Sequence, residues 1–221
     1  MVKAVFIDFY GTLVQEDTRV ISELTKRIYN SGEAIEPSEI GIYWWEFFQN
    51  SVNKSYGENF ITQRELERTA LKETLLKFKS TENLEELSEL MFSQWINPPV
   101  FKDTREFFKK CPVPVYIVSN VDRDDIMQAV EYNNFKPTGI VTSEDARSYK
   151  PRTEIYNLAL SEAGLNSNEV VHIGDSLTSD VKGAEDAGIN TIWLNRTNRE
   201  IPSGVIAVDN LLQVFDTKFF K

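Results

Sequence analysis

Short apolar runs and amphipathic stretches divide the chain into regions of different period. Residues 3–8 (Lys-Ala-Val-Phe-Ile-Asp) are an apolar run that ends in a carboxylate and is followed by Gly11, which predicts a short buried strand. From about 15 to 98 no strand pattern recurs. Ile21, Leu24 and Ile28 repeat at helical spacing, as do Leu66, Ala70 and Leu75, then Leu84, Leu87 and Leu90. Pro37-Ser38 marks a helix start, and Thr62 stands three residues before Glu65 at capping-box spacing. Tyr56-Gly57-Glu58-Asn59 predicts a loop, so the block reads as four helices.

Beyond about residue 100 the period changes. Apolar runs at 115–118, 139–142, 170–173, 191–194 and 205–208 alternate with helical stretches near 103–110, 123–133, 152–163 and 179–187. Strands apolar on both faces and separated by helices predict a parallel sheet covered on both sides. The expected fold is therefore α/β, with a parallel-sheet core from 1–14 and 99–221 and an inserted helical lid from 15–98. Pro98-Pro99 cannot continue a helix and makes a stiff boundary where the helices hand over to the core.

Length and charge narrow the function. A chain of 221 residues buries a substantial core without disulfides, and its single cysteine, Cys111, fits a reducing compartment. Acidic residues outnumber basic ones by 34 to 24, for a net charge of −10. No basic face is available for nucleic acid. No apolar run approaches the ~20 residues that span a bilayer, and the N-terminus lacks the apolar stretch of a signal peptide. The expectation is a soluble cytoplasmic protein with no membrane or nucleic-acid partner. Nothing in the pattern specifies an oligomeric state.

Four groups of polar residues sit at predicted strand ends, where open α/β sheets bind ligands. Asp8 ends the first strand and precedes Phe9-Tyr10-Gly11-Thr12-Leu13. A carboxylate there serves as nucleophile, metal ligand or turn cap, and Gly11 lets the backbone turn tightly beside a ligand. Ser119-Asn120 ends the second run, and a hydroxyl with turn amides can hold anionic oxygens. Lys150 precedes Pro151 and a helix, a point charge for a phosphoryl group or a carboxylate. Asp175 and Asp180 lie in Gly174-Asp175-Ser176-Leu177-Thr178-Ser179-Asp180, where two strand-tip carboxylates, Asp8 and Asp175, need a cation or a proton between them. Taken singly, each is also an ordinary turn, cap or solvated residue.

In order along the chain, Asp8-Phe9-Tyr10-Gly11-Thr12-Leu13, Ser119-Asn120, Lys150-Pro151 and Gly174-Asp175-Ser176…Asp180 resemble the four motifs of the haloacid dehalogenase-like hydrolase superfamily. The resemblance covers nearly the whole chain. The helical insertion after the first strand resembles the cap of the phosphoglycolate phosphatase-like and 2-haloacid dehalogenase-like branch. What the resemblance implies is a Rossmann-like core (1–14 and 99–221) with a helical cap (15–98), a small-molecule phosphorylated substrate and Mg2+ as cofactor. Asp8 would be the nucleophile, forming an aspartyl phosphate. Asp8, the Tyr10 carbonyl and Asp175, with Asp180 in support, would hold the metal. Gly11, Thr12, Ser119, Asn120 and Lys150 would contact the substrate.

The departure lies at Tyr10, where the phosphatases carry a second aspartate as general acid/base. A phenol, with reference pKa of about 10, is a weak donor and a poor base. Losing a positioned acid/base costs about 10²–10⁴-fold. The resemblance then implies a slow phosphatase or one suited to good leaving groups. Tyrosine at this position also occurs in the 2-haloacid dehalogenases, which use no metal, and Tyr156, six residues after Lys150, suits them as well. Two features point away from them: Asp175 is kept where they typically carry serine, and no arginine lies between Arg27 and Arg64 for a substrate carboxylate. A protein that binds a phosphorylated ligand without turnover is the third reading.

Other residues have plainer readings. Tyr43-Trp44-Trp45-Glu46-Phe47-Phe48 reads as cap core, with an apolar pocket wall as the sharper alternative. His172, the sole histidine, reads as a satisfied core residue. Glu16, Asp17 and Arg19 read as solvated linker charges, and Asp122 to Asp125 as a helix start.

Overall fold

The computed structural model describes residues 2–16 and 18–221. Asp17, read above as a linker charge, lies outside the described residues. Six parallel strands form one sheet: β1 (Ala4–Ile7), β2 (Val115–Ser119), β3 (Gly139–Thr142), β4 (Val170–Gly174), β5 (Asn190–Leu194) and β6 (Ala207–Val208), in the order β3-β2-β1-β4-β5-β6. β6 is shorter than the apolar run 205–208 suggests, because Val205 and Ile206 remain outside the ladder. The other four predicted runs form strands as expected.

Alternation along β1 explains the two-sided burial. Val5 and Ile7 face one apolar cluster with Ile117, Ile173 and Leu194, while Ala4 and Phe6 face a second with Val118, Val141 and Val170. Successive side chains of the strand are thus committed to opposite cores. Helices α1 (Thr18–Ser31), α2 (Pro37–Val52), α3 (Gln63–Lys77) and α4 (Leu84–Ile96) are inserted between β1 and β2. The predicted starts are observed: α2 begins at Pro37, and the Thr62 side chain accepts from the Glu65 N–H. Helices α5 (Thr104–Lys110), α6 (Arg123–Tyr132), α7 (Ser143–Ala146), α8 (Thr153–Ala163) and α9 (Gly183–Asp186) accompany the sheet. The predicted helix at 179–187 is two pieces, since α9 follows a wide turn over Leu177–Lys182 in which Val181 N–H reaches back to the Ser176 carbonyl. Among the described residues, no helix is long and apolar enough to cross a membrane.

The insertion leaves and rejoins the sheet at one place. Val14 and Val100 form an antiparallel bridge, and Gln15 N–H donates to the Pro99 carbonyl at 2.7 Å. β1 is flanked by β2 and β4, and the chain crosses from one half of the sheet to the other between them. This is the switch point at which open sheets of this kind leave a crevice at their carboxyl ends.

Candidate active site

Asp8 and Asp175 come together because β1 and β4 are neighbours in register, with Ile7 paired to Ile173. Asp8 N–H continues that ladder to the Ile173 carbonyl at 2.9 Å. The chain then turns back at Gly11, whose φ of +80° and close approach to Asp175 both demand glycine: a Cβ there would sit 2.7 Å from the carboxylate. Gly174 is fixed in the same way, since its Cβ would lie 2.2 Å from the Asp180 side chain.

Lys150 is the hub of the site. Its ammonium is buried and donates to Asp8 Oδ1 at 2.5 Å and Asp180 Oδ1 at 2.7 Å. Two of its three N–H groups are thereby used, which leaves one for a ligand in the cavity that Lys150 lines. The Asn120 side chain brackets the lysine backbone, accepting from Lys150 N at 2.7 Å and donating to its carbonyl at 3.3 Å. Ser143 in turn donates to the Asn120 carbonyl at 2.6 Å. Asp180 Oδ1 also meets His172 Nε2 at 3.0 Å, and its Oδ2 accepts from Ser176 N at 3.0 Å. The ring therefore carries its proton on Nε2, and His172 Nδ1 is buried without a partner. Half-satisfied and standing behind Asp180, this histidine differs from the satisfied core residue expected.

The electrostatics follow from burial and spacing. Burial raises the Asp8 carboxyl to about 6 despite the lysine. Burial, then the neighbouring Asp8 and Asp180, raise Asp175 to about 8. Asp180 goes the other way against its own burial, held well below the usual carboxylate range by Lys150 and His172. Lys150 is raised, its carboxylate partners outweighing desolvation. His172 is lowered by burial.

Oxygens of Asp8, Asp175 and Asp180 all lie within 4.8 Å of one another. Asp180 is taken up by Lys150, His172 and Ser176. The Asp175 carboxylate receives a 3.4 Å contact from the Thr12 hydroxyl, while its backbone carbonyl is held by Trp193 Nε1 and an Arg199 guanidinium N–H, each at 2.8 Å. A hard divalent cation that takes oxygen ligands and neutralises Asp8 and Asp175 suits this donor set.

A cavity of about 730 Å³ opens above these groups. Asp8, Tyr10, Ser119, Asn120, Lys150, Asp175 and Asp180 line it from the sheet side, and Trp44, Trp45, Phe48, Met91 and Trp95 from the inserted helices. Gly11 and Thr12 stand behind this wall rather than on it. Glu16 lines the cavity too, where the sequence suggested solvent alone. The Tyr10 phenol donates to the Trp95 backbone carbonyl at the end of α4.

Contacts between the insertion and the sheet carry residues that sequence reading had assigned elsewhere. Asp122 caps α3 from outside, accepting from Gln63 N at 2.8 Å and Arg64 N at 2.9 Å. Arg64 pairs with Asp125 through Nε at 2.7 Å and Nη2 at 2.5 Å. Residues 56–61 lie against the segment leading to Lys150: Phe60 stacks on Tyr149, and the Tyr149 hydroxyl donates to the Ile61 carbonyl at 2.8 Å. The acidic run 122–125 signals these partners only as charge.

Residues 2–188 match the family model for haloacid dehalogenase-like hydrolases. Haloacid dehalogenase-like hydrolase domain-containing protein 3 of Danio rerio is 31% identical over 144 residues, 60% of this chain and 58% of that protein. Pyrimidine 5'-nucleotidase YjjG of Escherichia coli is 39% identical over 67 residues, 30% of each chain. In both, the match spans less than two thirds of the relative's own length. The L-2-haloacid dehalogenase structure from Xanthobacter autotrophicus superimposes with a TM-score of 0.78 over 97% of both chains at 19% identity, a likeness of fold.

Proposed function

Because the chain belongs to the haloacid dehalogenase-like hydrolase family, we propose that it is a Mg2+-dependent phosphohydrolase acting on a small phosphorylated metabolite, with the inserted helices serving as its cap. The observation that carries this reading is Asp175, a second carboxylate beside Asp8 that Lys150 does not touch. Metal-free, the pair is forced toward protonation; with a dication it is balanced. Asp8, Asp175 and the Tyr10 carbonyl would hold the ion, which supplies charge neutralisation of the phosphoryl oxygens.

The protein's own groups do the rest. Asp8 attacks phosphorus through a carboxylate oxygen, the P–O bond to the alcohol breaks, and the alcohol departs as its anion or takes up a proton. Water then attacks the aspartyl phosphate, releasing phosphate and regenerating Asp8. The free N–H of Lys150 and the Ser119 hydroxyl hold phosphoryl oxygens as charge builds. Asp180, backed by His172, holds Lys150 in place. The Tyr10 phenol is spent on the Trp95 carbonyl, so the leaving group receives little help with its proton. That supports slow turnover or good leaving groups such as acyl and aryl phosphates.

The dehalogenase reading has two observations of its own, the tyrosine at position 10 and Tyr156 six residues after Lys150. Against it stands the cavity wall, which among the described residues offers no arginine for a substrate carboxylate. Phosphate release from acetyl phosphate and p-nitrophenyl phosphate, with Mg2+ and with EDTA, tests the proposal alongside halide release from 2-chloropropionate. Mg2+-dependent phosphate release that disappears in Asp8→Asn is the expected result. Halide release indifferent to EDTA would replace the phosphohydrolase with a dehalogenase.

A further inference from the structure

The cavity is far larger than a phosphoryl group needs, and its charge is distributed unevenly. Its volume of about 730 Å³ falls in the range of sites that enclose ligands of drug size, about 300–1,000 Å³. Among the described residues, Lys150 is the one cation lining it, and Lys150 already serves Asp8 and Asp180. Arg64, Arg147 and Arg152 lie near the edge of the insertion but engage elsewhere: Arg64 with Asp125, Arg147 with the Gly57 carbonyl, and Arg152 over the Tyr56 ring. A dication and Lys150 together supply three positive charges, which Asp8, Asp175, Asp180 and the phosphoryl group already exceed, so nothing is left for a second anion on the substrate. A buried anion without a partner is strongly disfavoured.

The wall away from Asp8 is aromatic. Trp44, Phe48 and Trp95 are buried in it, and Trp45, 61% exposed, lines the same space. Trp45 and Phe48, both on the cavity wall, lie 6.1 Å apart with planes at 39°, a tilted pair rather than a closed stack. Gln63 adds a neutral polar group whose Oε1 is buried and unpaired. From these observations, and resting on the phosphohydrolase reading, we propose that the substrate is a phosphate monoester whose remaining part is uncharged and carries an aromatic ring that packs against Trp45 and Phe48. Carboxylated phosphate esters and diphosphates are excluded by the same wall.

Three inert phosphonates test this by tryptophan fluorescence in the presence of Mg2+: phenylphosphonate, methylphosphonate and 4-phosphonobenzoate. Phenylphosphonate should bind about tenfold more tightly than either of the others, the methyl compound lacking the ring and the benzoate adding a charge. Gln49→Arg, which places a cation on the wall from α2, should tighten 4-phosphonobenzoate relative to phenylphosphonate. Trp45→Ala should narrow the gap between the phenyl and methyl compounds. Equal binding of phenylphosphonate and 4-phosphonobenzoate, or of phenylphosphonate and methylphosphonate, would overturn the inference. So would binding of none of the three by a protein that hydrolyses acetyl phosphate. The expected ranking without hydrolysis of acetyl phosphate would overturn the phosphohydrolase reading and leave the ligand class standing.

Discussion

Tyr10 and Trp95, 85 residues apart, are joined by a hydrogen bond from the phenol of the nucleophile loop to the last turn of α4. The Tyr10 side chain therefore serves as a tether between the insertion and the sheet. Removing the hydroxyl in Tyr10→Phe forfeits one such bond, about 1 kcal/mol. The expected loss in kcat/KM for p-nitrophenyl phosphate is fivefold or less. A loss of 10²-fold or more would show that the phenol moves a proton after all. Tyr10→Asp should raise phosphatase activity with poor leaving groups, read as kcat on an alkyl phosphate.

The lysine at the centre depends on Asp180 for half of its charge compensation. Asp180→Asn leaves a buried ammonium with Asp8 alone, at a cost of about 3 kcal/mol in stability. Differential scanning calorimetry should register that as a clear fall in Tm. If Asp180 instead acts mainly through the metal, Mg2+ affinity will collapse while metal-free Tm stays at the wild-type value.

Acidity of the metal-free site sets a pH dependence with a definite sign. Asp175 and Asp8 are raised to about 8 and about 6, while the ordinary carboxylate values near 4 apply to the unfolded chain. The unfolded state thus loses these protons first. Metal-free stability should fall as pH rises from about 4 and level off above about 8. Asp180, shifted downward, acts only below that window, and Lys150, shifted upward, only above it, while His172, lowered by burial, opposes the decline below about pH 6.5. Thermal melts in EDTA across pH 5–8 should show the decline, and saturating Mg2+ should flatten it. A metal-free Tm that climbs steadily to pH 8 would contradict the assigned environment of Asp175.

One point at which the insertion docks is the start of α3. Asp122→Ala removes the acceptor of two backbone N–H groups there and should cost about 1–2 kcal/mol. Limited proteolysis should then nick residues 55–62 faster than in the wild type. Unchanged nicking with an unchanged Tm would mean that Arg64 and Asp125 hold this contact unaided.

The strands and the residues at their tips were legible because two physical signals coincide in them. Burial on both faces makes continuous apolar runs, and the first polar residue after each run marks the crevice: Asp8, Ser119 and Asp175 all follow this rule. What escaped depends on partners distant in sequence. Asn120 reads as a ligand contact, yet its amide is occupied with the Lys150 backbone. His172 lies within an apolar run, and only the wide turn at Leu177–Lys182 brings Asp180 back beneath its ring. The tether from Tyr10 ends on a backbone carbonyl, which no side-chain pattern can reveal. Val205 and Ile206 carry a strand's composition, yet of the two only Ile206 joins the sheet's hydrogen bonds, its carbonyl accepting from Trp193 N–H at 2.8 Å, because β-propensity reflects a pleated, half-buried surface as much as the ladder itself.

The antiparallel bridge of Val14 with Val100 places the two ends of the insertion side by side. Loop closure at that point is settled by the sheet domain, whatever lies between the ends. The helices are in this sense a cassette: another segment with closely spaced ends could replace them while Asp8, Lys150, Asp175 and Asp180 kept their positions. On the function proposed above, the reaction chemistry and the choice of substrate would consequently be free to evolve on separate parts of one chain.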